Sequence, residues 1–186
     1  AKGDVMCCDN FGAVTTRGYA YSLTAGICGS AHESLTVGDC DNFAPVTSTS
    51  SYQASVGGIV GLSGRPVVVS HCRNKGAVRF DGVSVDRRST AGGIVGDIYA
   101  KKDAVYAASV RDCRNEGDLA ASTASLGGII GIAEKIDTPA VIENCENKGH
   151  ISSPSMADYD VYYFGGIAGK VNGAFTLRNC VNRGNL

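Results

Sequence analysis

The chain writes one phrase six times. "CxNxG" recurs at Cys8, Cys40, Cys72, Cys113, Cys145 and Cys180, at intervals of 32, 32, 41, 32 and 35 residues, with Ala44 in place of the glycine in the second copy. A second phrase falls between successive copies: "AGICG" from Ala25, "GGIVG" from Gly57 and Gly92, "GGIIG" from Gly127 and "GGIAG" from Gly165. A catalytic motif has no reason to be repeated in this way. Repetition at this period marks supersecondary units that cannot bury their apolar faces alone and must stack.

Each repeat carries three apolar columns. Three residues before each cysteine stand Val5, Val37, Val69, Val110, Ile142 and Leu177; six residues after it stand Val14, Val46, Val78, Leu119, Ile151 and Leu186. The glycine phrase contributes Ile27, Ile59, Ile94, Ile129 and Ile167. β-Branched columns separated by turn-formers predict three short strands per repeat, and no segment holds a helical period. Stacked in register at steps of about 4.8 Å, these units form an all-β parallel β-helix, or β-solenoid, of about five to six coils. Residues 1–186 then make a single repeat domain.

The remaining columns have structural roles. The odd separation of Val69 from Cys72 predicts a bend or bulge that turns the cysteine inward. Asn10, Asn42, Asn74, Asn115, Asn147 and Asn182 stack as a ladder in which each amide donates to the next or ties down its own turn. The glycine two residues later supplies positive φ or room; Ala44, before Pro45, favours room. The column cysteines read as small buried hydrophobes rather than metal ligands, since the spacing has neither CxxC nor paired histidines. Disulfides between in-register thiols would be strained, and Cys7 and Cys28 lie off the column, with pairing between them left open.

Composition excludes some partners. Seventeen basic and eighteen acidic residues give a net charge of −1, and no basic stripe is present to track nucleic acid or an anionic membrane. No apolar run approaches the roughly 18 residues of a spanning helix. The start "AKGDVM" suggests a fragment or the mature region of an exported protein.

The alternation of "GGIVG" with "CRNKGAV" resembles the GLUG-type repeats of bacterial surface and secreted proteins, among them large adhesins and repeat regions beside proteases that cleave immunoglobulin A. The resemblance covers Val5 to Leu186. It implies a β-solenoid in an exported protein at the bacterial cell surface or secreted from it, serving as a stalk or adhesion segment. It brings no catalytic residues: "HES" at His32 lacks the second histidine of a zinc protease.

Function is therefore expected in what varies between copies. The richest variable segment, Met156 to Phe164, holds Asp158, Tyr159, Asp160, Tyr162 and Tyr163, which with Tyr19, Tyr21 and Tyr52 suggest an aromatic and acidic surface for a glycan or host glycoprotein. The competing reading is that these tyrosines are half-buried strand residues. An insertion at Asp97 to Asp112 marks a second place where the solenoid can grow. No catalytic, metal or cofactor site is expected: "GLSG" around Ser63 lacks the nucleophile-elbow spacing, and no lysine follows the glycine phrases in the P-loop place. The expectation is a non-catalytic adhesion or ligand-binding module. A passive stalk and a polysaccharide-degrading β-helix are the alternatives, and the open solenoid ends invite end-to-end self-association.

Overall fold

The computed structural model describes residues 2–82, 88–99, 108–122, 124–153 and 163–186. The third coil shows the plan. Its strands are Val67–Ser70, Arg73–Asn74, Val78–Phe80, Thr90–Gly92 and Val95–Tyr99. Each pairs in parallel with its counterparts one coil away: Val69 with Val37 and Val110, Asn74 with Asn42 and Asn115, Val78 with Val46 and Leu119. Among the described residues this builds four parallel sheets of nine, six, five and five strands, giving five turns and the start of a sixth. The fold is an all-β parallel solenoid. No helix long and apolar enough to cross a membrane occurs among the described residues.

Each coil carries more than the expected three strands. The valine columns are strands, but Ile59 sits at a bend between Ala54–Gly57 and Val60–Ser63. Its side chain is buried, as are those of Ile94 and Ile129. The asparagine makes a two-residue strand of its own. Towards the C-terminus the strands on either side of the coil boundary fuse into Ile130–Glu143 and Ala168–Arg178, which joins their two columns into the nine-stranded sheet.

The inward turn of the cysteine has a definite cause. The residue before each column cysteine (Cys7, Asp39, His71, Asp112, Asn144, Asn179) has φ between 52° and 55°. One left-handed residue reverses the parity of the chain, so Val69 and Cys72 both point inward across an odd separation. Asp, Asn and His tolerate this conformation best after glycine, and they hold five of the six positions.

The glycines of "CxNxG" serve room, not positive φ. A Cβ at Gly76 would lie 1.9 Å from the Ala44 carbonyl oxygen of the coil before, and Gly117 and Gly149 are equally tight. The second glycine of the other phrase faces a side chain. A Cβ at Gly58 would lie 2.4 Å from Cγ of Asn74, and Gly93 stands in the same relation to Asn115. The two phrases thus meet across the interior of every coil. This contact divides the core in two, with Val37, Val69, Cys72, Ile59 and Val60 on one side and Val46, Val78, Phe80, Val56 and Leu126 on the other.

Two outcomes test these assignments by urea unfolding. Asp39→Val, which puts a β-branched residue at positive φ on an exposed site, should cost about 1–2 kcal/mol, whereas Asp39→Gly should cost little or nothing. Asn115→Ala, which leaves its buried partners short of hydrogen bonds, should cost on the order of 3 kcal/mol.

Candidate functional site

The cysteine column belongs to the scaffold. Each thiol donates to the carbonyl two residues back, Cys40 to Gly38 at 3.0 Å, Cys72 to Ser70 at 3.2 Å and Cys113 to Arg111 at 3.0 Å. All eight cysteines are free thiols, so Cys7 and Cys28 are not paired. Burial pushes the Cys40 thiol up to about 11. Hydrogen bonding of its S–H to the ladder neighbours Cys145 and Cys72, and burial after that, hold the Cys113 thiol well above the ordinary range. Cys40 and Cys113 are thereby poor nucleophiles and poor metal ligands, whereas the side-chain hydrogen bond with Cys113 shifts Cys72 and Cys145 below the ordinary thiol value. Among the described residues, no three His, Cys, Asp or Glu side chains are grouped to hold a metal ion.

The tyrosines divide into two places. Asp158, Tyr159, Asp160 and Tyr162 lie outside the described residues. Tyr163 is partly exposed and carries the Lys170 ammonium 5.0 Å from its ring centroid. Tyr21 and Tyr52 precede equivalent strands of the first two coils, Ser22–Ala25 and Ala54–Gly57, and meet edge to face at 5.3 Å. Tyr19, in the same loop as Tyr21, is 93% exposed, and Tyr21 is 64% exposed. Tyr163 precedes the fifth strand of that sheet, Phe164–Gly165, and so stands three coils above Tyr52, about 14 Å at the spacing of neighbouring strands. The solenoid places Tyr163 on the same side as the other three but not in one patch with them.

Two features were not expected from sequence. One is an open groove of about 550 Å³ across the last three coils, lined by Asp112, Arg114, Asn144, Glu146, Asn179 and Arg183, among others. Its side chains are largely engaged with one another. Asn144 Nδ2 donates to Asp112 Oδ1 at 3.0 Å, Asn179 Nδ2 donates to Asn144 Oδ1 at 3.3 Å, and Arg114 and Arg183 both reach Glu146. The Arg183 hydrogen bond holds the Glu146 carboxyl below its usual range. Charge is balanced, which suits a neutral polar ligand better than an ion. The signal was present in the column of Asp and Asn before the cysteines, but the groove also needs side chains from coils more than thirty residues apart.

The other is Asp97, at the start of the insertion; residues 100–107 of that insertion lie outside the described ones. Asp97 stands on Val95–Tyr99 between Leu62 and Ile132, and its Oδ1 is buried without a hydrogen-bond partner. Burial, helped by the charge of Glu134, pushes its carboxyl up to about 7. Glu134 itself is paired with Lys170. A lone carboxyl of this kind can hold or release a proton near neutral pH, but no nucleophile or second unpaired carboxylate stands beside it among the described residues.

No known protein family, curated protein or solved structure matches the chain.

Asp97 gives a pH dependence with a definite sign. Its folded-state pKa exceeds the ordinary carboxyl value of 3.8, so the folded state holds the proton more tightly than the unfolded chain. Stability should be greatest below pH 4 on this account, fall by up to about 1.4 kcal/mol per pH unit towards pH 7, and level off above it. Asp97→Asn should remove that slope and raise stability at neutral pH, as read from urea midpoints at a series of pH values.

Proposed function

We propose that this chain is a non-catalytic, ligand-presenting module of an exported bacterial surface protein, built on a GLUG-type repeat scaffold, with glycan or host glycoprotein as its ligand class. The observation that carries the reading is the tyrosine cluster of the first two coils. Tyr19 and Tyr21 are large, exposed and held on a loop between paired strands, with Tyr52 edge-on to Tyr21. An aromatic platform of this kind offers a sugar ring a stacking face, with phenolic hydroxyls at its edge to hydrogen-bond. Meanwhile the repeated columns are spent on the scaffold, which leaves the loops to distinguish one ligand from another.

A passive spacer is the second reading. The unbroken asparagine ladder through all six copies favours it, because a stack held together at every level is a stiff rod. Affinity electrophoresis through gels of mucin and of several polysaccharides separates the two. Retardation without clearing of the gel, weakened about tenfold or more in the Tyr19→Ala/Tyr21→Ala variant at unchanged melting temperature, is the expected result. Free migration in every gel, or retardation indifferent to the tyrosines, would overturn the platform; cleared gel would make the chain an enzyme.

A further inference from the structure

Three buried side-chain oxygens have no hydrogen-bond partner among the described residues: Ser55 Oγ, Thr90 Oγ1 and Asp97 Oδ1. All three fall in one layer of the solenoid. Ser55 and Thr90 are register partners on neighbouring strands of one sheet, Ala54–Gly57 and Thr90–Gly92. Val56 and Ala91, the residues that follow them, belong to one of the two apolar cores, so strand alternation turns both hydroxyls the other way. Yet each residue is only 1% exposed. The strand beyond the glycine bend covers them, folded back face to face. A Cβ at Gly57, on the same face as Ser55, would lie 1.8 Å from the Val60 carbonyl oxygen and 2.9 Å from the Gly96 backbone nitrogen. A Cβ at Gly96 would in turn lie 2.7 Å from the Val56 carbonyl oxygen. Asp97 is the next residue. Its column neighbours are Leu62 and Ile132, and none of the three belongs to either core cluster.

We propose that Ser55, Thr90 and Asp97 bind a hard cation, Ca²⁺ or Na⁺, between the second and third coils. The donor set is one carboxylate and two hydroxyls, with no sulfur or imidazole, which suits oxygen-seeking ions and not soft ones. The spacing agrees. Neighbouring strands hold the two short hydroxyl side chains about 4.8 Å apart, too wide for a direct hydrogen bond, whereas oxygens on opposite sides of a Ca²⁺ ion stand about 5 Å apart. The charge agrees as well. Glu134, whose field acts on Asp97, is paired with Lys170, and Asp97 makes no ion pair among the described residues. A buried carboxylate left in this way calls for a positive partner. Asp97 as a whole keeps partial exposure, so an ion can reach its carboxylate from solvent. Once bound, the ion ties the strand that follows Tyr52 to the strand that leads into the insertion.

Thermal unfolding followed by circular dichroism tests the site, at about pH 8 where Asp97 is ionised, with choline chloride holding ionic strength constant. Added Ca²⁺ should raise the melting temperature along a saturable curve. Mg²⁺ at the same concentrations should do little, because it demands strict octahedral geometry and sheds water reluctantly. A saturable rise with Na⁺ in place of choline, and none with Ca²⁺, would make the monovalent ion the occupant. Asp97→Asn, which keeps the shape and removes the charge, should abolish the response. Thr90→Val and Ser55→Ala should each weaken the apparent affinity about tenfold. Melting curves without added cation show whether each variant folds. Three results overturn the proposal: no saturable shift with either ion, which would leave the three oxygens to water alone; an equal shift with Mg²⁺; or a shift that survives Asp97→Asn.

Discussion

A buried amide ladder facing a row of glycines is the interaction on which the rest of the structure depends. Asn42, Asn74, Asn115 and Asn147 are fully enclosed, and an enclosed amide without partners would cost heavily. Each is satisfied twice over by the repeat itself. One N–H goes to the next coil's amide and the other to the carbonyl two residues on, as with Asn74 to Asn115 Oδ1 at 2.7 Å and to the Gly76 oxygen at 2.8 Å. Such a network tolerates no slip in register, since a displaced coil would orphan two amides at once. The room it needs is made by the glycine opposite, which is why "CxNxG" and "GGIVG" alternate without exception.

The outer surface repeats the same logic with weaker forces. Asp41 holds Arg73 one coil above, Glu143 holds both Arg111 and Arg178, and Glu146 holds Arg114 and Arg183. Exposed pairs of this kind contribute at most about 1 kcal/mol each. They favour the register already set inside rather than create it. Their consequence for function is that much of the corner surface is engaged internally, and the more open chemistry moves to the loops.

The scaffold was legible in the sequence because a solenoid writes each structural demand once per coil. The columns of Val, Cys and Asn, the inward bend before the cysteine and the use of glycine for room could all be read by comparing copies. The left-handed position before each cysteine was also readable in principle, since Asp39, His71, Asp112, Asn144 and Asn179 share a tolerance for positive φ. Cys7 in the same column hid the pattern. Strand number was not legible: two adjacent glycines break the strand that Ile59 seemed to centre. The candidate sites were least legible. Groups such as Asp112, Glu146 and Arg183 meet only after stacking, and Tyr52 and Tyr163 share a face yet are held apart by three coils. What makes Asp97 unusual is that its buried Oδ1 has no hydrogen-bond partner among the described residues, which no motif records.

The most direct test of the ladder is hydrogen exchange of the asparagine side-chain amides, followed by ¹⁵N NMR. The account predicts that both Nδ2 protons of Asn42, Asn74, Asn115 and Asn147 exchange as slowly as the backbone amides of the central strands, while those of Asn10 and Asn182 exchange faster. Exchange of all six at the rate of a free asparagine would contradict it, and would leave the glycine columns without their reason.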